Sequence, residues 1–295
     1  MTSAGATLSG DEFAAPRQRP LDVRALLQRF AIGAILALIL IVLIFGPHLT
    51  PYDPIAIAPN HALAPPGPAH PFGTDQYGRD VMSRVFAGSR LSIFIGVFAV
   101  MFAALIGVPV GLIAGYFRGI ADEVIMRVTD ILLAFPNILL ALTIVAITGP
   151  GTSKVMFAVG ISLTATYIRL VRGVVLVVRE QLYVEAARAI GCSAARIMAR
   201  HLLPNILGPV MVLSTVAVAW SIIAGASLSF LGLGPSPPVP EWGVDLSRGR
   251  DYLDSAWWIS TFPGLAIIVT VLAINMLGDQ LVKLLDPALR HQTTL

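Results

Sequence analysis

Six stretches of this chain are too long and too apolar to belong to a water-soluble body, and they settle the fold class first. A membrane-crossing helix needs about 20 mostly apolar residues. Such runs extend over Phe30–Pro47, Leu91–Phe117, Ile131–Ser153, Val155–Ile168, Ile206–Leu233 and Ser255–Gly278. The fourth is short and reaches spanning length only by continuing through Arg169 and Arg172 to about Val178. Both guanidiniums are expected to snorkel to an interface. Composition agrees: 56% of residues are hydrophobic and 13% charged, against about 25% charged in soluble domains. The mean hydropathy is +0.80. This excludes a disordered chain and argues against a soluble enzyme, because the apolar excess must face lipid. The expected fold is an all-α integral membrane protein with six transmembrane helices.

Lys and Arg in the loops set orientation. With the N-terminus in the cytoplasm, 14 of the 20 fall on inside segments, and only Arg79, Arg84, Arg90, Lys154, Arg248 and Arg250 lie outside. Both termini are therefore expected inside. The net charge of +3 and pI near 9.3 come from Arg spread between apolar runs, which points to membrane orientation and not to nucleic acid. The one cysteine, Cys192, allows neither an intrachain disulfide nor a thiolate metal site. Gly46, Pro47 and His48 follow the first run with no small-x-small cleavage pattern, so that run reads as an uncleaved anchor.

The regions divide into a polar cytoplasmic tail (1–23), a first span with a proline-rich outer loop (24–88), a helical bundle (89–284) and a cytoplasmic C-terminal tail (285–295). A short helix is expected from about Tyr77 to Gly88, lying on the membrane surface. Val81, Met82, Val85 and Phe86 would form its apolar face, and Arg79, Asp80, Ser83 and Arg84 its polar one. Pro109, Pro136 and Pro263 lie inside spans and can bend them. The outer histidines His48, His61 and His70 have spacings that match no compact metal-ligand pattern.

The cytoplasmic loop between spans four and five carries the most information. A helix from about Glu180 to Ile190 should stop at Gly191, Ser193 should cap a second, and Pro204 should end or kink that one. Ala186, Ala187 and Ala189 beside Glu185 and Arg188 suit a helix docked in a partner's groove. An Arg-rich loop on lipid headgroups would have the same composition.

The spacing Glu185-Ala186-Ala187, Gly191, then Leu203-Pro204 resembles the EAA loop of ABC-importer permeases. Gly73-Thr74-Asp75, Gly78-Arg79-Asp80, Met126-Arg127, Leu133-Ala134-Phe135-Pro136, Leu228-Ser229-Phe230-Leu231-Gly232 and Asp286-Pro287 are similar to the C-type permeases of dipeptide, oligopeptide and nickel importers. The likeness covers about residues 24–290. Where many relatives carry an acid before the Leu-Ser-Phe run, this chain has Gly225. The resemblance implies a type I importer permease fold, with 89–284 as the permease domain, in a bacterial inner membrane. It implies a second permease, two cytoplasmic ATPase subunits holding ATP and Mg, and an extracytoplasmic substrate-binding protein. Glu185, Ala186, Ala187, Arg188, Gly191 and Pro204 would belong to the ATPase-coupling loop, and Gly73, Thr74, Asp75, Gly78, Arg79 and Asp80 to the outer signature.

The chain has no phosphate-binding loop: Lys154 and Lys283 are its only lysines, and neither follows a glycine. It has no HExxH or GxSxG pattern either. An ion-driven carrier needs an intramembrane carboxylate or His relay, and a lipid-modifying enzyme needs an interfacial His/Asp/Glu cluster. Neither pattern is present in the sequence, so the importer permease is the leading expectation.

Overall fold

A computed structural model describes residues 45–48 and 50–285, with side chains placed up to Gly278 apart from Pro47. Both tails lie outside the described residues, as do all but the last three residues of the expected first span.

The described chain is helical. Helix α1, Val81–Phe117, starts where Asp80 accepts hydrogen bonds from Ser83 N (2.8 Å) and Ser83 Oγ (2.7 Å), the geometry of an N-cap. It runs 37 residues through Pro109 without a break. The separate surface helix expected at Tyr77–Gly88 is therefore absent; its residues form a loop and the first turns of α1. Its polar face is buried as well, with Arg79, Asp80, Ser83 and Arg84 at most 3% exposed. The cause is a folded outer cap that supplies each of these groups with a partner.

Helices α2 (Gly119–Leu133) and α3 (Asn137–Thr148) replace the single span expected at Ile131–Ser153 and meet at an 89° bend. Pro136 lacks an N–H and disfavours helical φ/ψ at Phe135, so the helix ends there. Helix α4, Thr152–Val178, matches the fourth expected span. After two short helices, α5 (Leu182–Ala189) and α6 (Ala194–Ile197), a π turn over Met198–Leu202 leads into α7, Leu203–Phe230. Pro204 therefore sits in a helix that continues from Ala194 to Phe230. The π turn, closed by Leu203 N–H to the Met198 carbonyl, takes up the strain that a proline inside a helix creates. The short helix α8, Trp242–Gly249, follows at the end of the bundle where α1 begins, and α9, Trp258–Leu285, is the last span described. Among the described residues, four helical segments are long and apolar enough to cross a membrane, and the bent pair makes a fifth.

Helices α1 and α4 form the spine. Gly107, Gly111 and Gly115 recur every four residues on α1 and face Tyr167, Ile168 and Val175 of α4. A Cβ on Gly111 would lie 2.7 Å from the Ile168 carbonyl oxygen, and one on Gly115 2.7 Å from Val175 Cγ1. Only glycine admits this approach, and close backbone packing is what drives helix association in lipid. The buried Tyr167 hydroxyl meets Ser214 Oγ at 2.8 Å and ties α4 to α7.

Candidate functional site

The loop between α4 and α7 is built around Gly191. Its φ of +79° is open to glycine at little cost. Gly191 N–H donates to Arg188 O at 2.9 Å and Cys192 N–H to Ala187 O at 3.0 Å, which together form a Schellman stop for α5. Ser193 then caps α6, accepting from Arg196 N at 3.4 Å. Val184 and Ala187 point into the bundle core, whereas Glu185, Ala186, Arg188, Gly191 and Pro204 are exposed. Ala187 thus lets α5 sit close on its own bundle, and only Ala186 and Ala189 offer small side chains outward. The exposed face also carries Leu182 (82% exposed) and Ile190 (81%). The sequence reading missed these two, although large apolar residues flanking a cytoplasmic helix are a visible signal.

Two arginines fasten this loop to the end of α1. Arg179 Nη1 donates to Tyr116 O at 2.6 Å and Gly115 O at 3.2 Å, carbonyls that α1 leaves free at its C-terminus. The Arg188 guanidinium lies 5.4 Å from the Tyr116 ring centre. Arg118 and Glu180 pair at 2.8 Å. Arg172 donates to both Asp122 oxygens, at 2.5 and 2.7 Å, and Arg169 pairs with Asp130. The two arginines expected to snorkel instead hold α2 against α4.

The outer signature is an interlocked cap. Asp75 Oδ1 accepts from Tyr77 N (2.8 Å) and Arg79 N (3.0 Å), and its Oδ2 accepts from Arg79 Nε (2.6 Å). Gly73 and Gly78 take positive φ. Trp258 Nε1 of α9 donates to the Thr74 carbonyl at 3.0 Å. His70 Nδ1 lies 2.9 Å from Asp80 Oδ1. Thr74, Asp75, Arg79 and Asp80 are all buried, so they build the cap and do not present themselves at its surface.

Arg84 joins this loop to α8. It donates to Asp245 Oδ1 through Nε (3.0 Å) and Nη2 (2.5 Å), and to the Pro54 carbonyl (3.0 Å). Burial pushes the Asp245 carboxyl upward, and the Arg84 charge opposes the shift. Glu241, fully buried, caps α8 by accepting from Gly243 N (3.0 Å) and Val244 N (2.9 Å). Its burial holds the carboxyl above the ordinary range despite these donors and Ser92. Sequence reasoning did not single out Glu241 or Asp245, because a partner 161 residues from Arg84 leaves no local pattern. Gly225 faces Ile95, where a Cβ would lie 2.7 Å from Ile95 Cγ2, so the approach of α7 to α1 leaves no room for the relatives' acid in this packing.

Among the described residues no three His, Cys, Asp or Glu side chains come together to hold a metal ion. The arrangement sets a buried polar cap at one end of a helical bundle and an exposed short helix at the other.

Known proteins match this description. The family model for the binding-protein-dependent transport system inner membrane component matches residues 107–291. A putative peptide transport system permease protein of Brucella suis is 44% identical over 277 residues, covering 92% of each chain. A glutathione transport system permease protein of Pectobacterium atrosepticum is 43% identical, covering 90% of each. A di/tripeptide transport system permease protein of Pseudomonas aeruginosa is 42% identical, covering 88% of this chain and 89% of its own. An inward-facing structure of the MetNI methionine ABC transporter superposes with a TM-score of 0.56 at 17% identity, over 70% of this chain and 98% of that one. That likeness gives the fold: a type I ABC permease. The chain therefore belongs to the family of binding-protein-dependent transport system inner membrane components and is a multi-pass permease subunit, not an enzyme.

Proposed function

We propose that this chain forms half of the translocation path of an ATP-driven importer for short peptides or a closely related solute. A second permease completes the path. Two cytoplasmic ATPase subunits hold the ATP and Mg, and an extracytoplasmic binding protein delivers the solute. The membrane is the bacterial inner membrane, with both termini in the cytoplasm. The observation that carries this reading is the cytoplasmic loop, where an eight-residue helix is clamped to α1 and turns Glu185, Ala186, Arg188 and two large apolar side chains outward. A solvent-exposed patch of this kind suits a partner's groove. The names of the relatives support the solute class. The signature Gly73, Thr74, Asp75, Gly78, Arg79 and Asp80 acts as scaffold, and the binding protein meets the exposed rim above it at Tyr77, Arg250, Leu253 and Trp257.

Affinity purification of the tagged chain from native membranes in mild detergent tests this. Co-recovery of a second permease and phosphate-loop ATPases is the expected result. Recovery of the chain alone, transporting in liposomes without ATP, overturns it.

A further inference from the structure

The cap meets the start of α9 around a small, partly open chamber of about 10 Å³, whose walls include Gln76, Arg84, Asp245, Arg248, Ile259 and Pro263. That is room for the centre of one water molecule. Three buried polar atoms of these walls have no hydrogen-bond partner in the protein: Gln76 Oε1, Asp245 Oδ2 and Arg248 Nη1. Asp245 is 5% exposed, so its free oxygen is buried in the chamber wall. A fourth group adds to them. Pro263 has no N–H, so the carbonyl of Ile259, four residues earlier in α9, lacks its helical donor.

The chemistry of the walls selects the occupant. A small cation would find oxygen ligands but also the guanidiniums of Arg84 and Arg248. A halide would find those guanidiniums but also the Asp245 carboxylate and the Gln76 amide oxygen. An apolar filling would leave every orphan group buried and unpaired. Water both donates and accepts, which suits orphan acceptors set beside an orphan donor. We propose that one ordered water molecule occupies this chamber, donating to Asp245 Oδ2 and Gln76 Oε1 and accepting from Arg248 Nη1. It bridges the signature loop to α8 beside the point where Pro263 interrupts the ladder of α9. The argument is independent of the transport reading, since it uses only the cavity and its walls.

Pulsed X-ray hydroxyl-radical labelling tests it, because radicals born from a trapped water mark its neighbours. The full chain in native membranes is labelled and read residue by residue, normalised to intrinsic reactivity. Ile259 and Pro263 are buried, yet they should label well above the equally buried Ile222. Gln76→Met, which fills the chamber with an apolar chain, should abolish that labelling and leave exposed Trp257 unchanged. Wild-type labelling at Ile259 and Pro263 no faster than at Ile222 overturns the proposal, whether or not the variant folds.

Discussion

The most exacting test of the cap's design is Arg84→Met. Arg84 and Asp245 have side-chain exposures of 3% and 6%, so neither charge is hydrated by bulk water. Methionine keeps much of the side-chain length and removes both bonds to Asp245 and the bond to Pro54 O. Breaking a buried pair by removing one partner costs about 3–5 kcal/mol, because the other charge stays buried and uncompensated. At roughly 2–4 °C per kcal/mol for a chain of this size, the unfolding temperature should fall by about 10 °C. The double variant Arg84→Met/Asp245→Leu removes both charges, and well-packed apolar replacements of buried pairs are often neutral. It should therefore be more stable than Arg84→Met alone, a non-additivity that a double-mutant cycle measures. Thermal unfolding in nanodiscs, followed through tryptophan fluorescence, is the assay, since Trp242 and Trp258 both donate into the cap. The pH arm has a definite sign. Burial raises the Asp245 carboxyl, and removing Arg84 removes the charge that opposes this. The folded variant then holds a proton that the unfolded chain releases above its ordinary value of 3.8. Stability is greatest in acid and is lost as pH rises from there through the folded value. Unfolding of Arg84→Met indistinguishable from wild type, or a double variant as damaged as the sum of the singles, would refute the reasoning.

Other expectations follow from single positions. Gly191→Asp forces a side chain into left-handed backbone, at about 1–2 kcal/mol, and adds a charge to the face proposed to dock; in proteoliposomes of the assembled importer, uptake per ATP hydrolysed should fall, and an unchanged ratio contradicts the coupling role. Gly111→Leu drives a Cβ into the Ile168 carbonyl and Val171, and overpacking of this kind costs about 1–3 kcal/mol; folded yield in detergent should drop, while Gly173→Leu, with open space around its Cβ, should be tolerated. Glu241→Gln keeps the shape of the α8 cap without a titrating proton. Because burial raises the Glu241 carboxyl above its ordinary 4.5, wild-type stability should decline as pH rises through that window, and the variant's profile should be flatter; equal slopes would remove Glu241 from the account.

What could be read from the sequence was what depends on local chain chemistry. Run length located α1, α4, α7 and α9, and the stop at Gly191 and cap at Ser193 followed from backbone preferences that no tertiary contact overrides. The reading failed where distant partners decide. Arg79, Asp80, Ser83 and Arg84 look like the wet side of an amphipathic helix until Asp75, His70 and Asp245 are folded onto them. Arg169 and Arg172 look like snorkelling residues until α2 brings Asp130 and Asp122 alongside. The 89° bend was harder still: a proline in an apolar run is compatible with a straight span, a kink or a break, and the choice rests on where α2 can find ion pairs. Pro204 posed the opposite problem, since the preceding π turn let the helix run on.

These corrections share a consequence for α1. A helix of 37 residues is about 55 Å long, whereas the hydrocarbon core is about 30 Å thick. Some 25 Å of it must therefore lie outside the hydrocarbon, and its two ends show where. At the outer end Asp80 caps the first turn and Arg84 binds α8, so the helix begins inside the folded cap. At the inner end Arg179 holds the last carbonyls and Arg188 covers Tyr116, so the helix finishes against the cytoplasmic loop. Between them the glycine face binds α1 tightly to α4. One continuous helix thus connects the cap around Arg84 to the loop around α5, and neither end can shift along the helix axis without loading the other. A surface helix followed by a separate span, as the sequence suggested, would have placed a flexible joint in that connection.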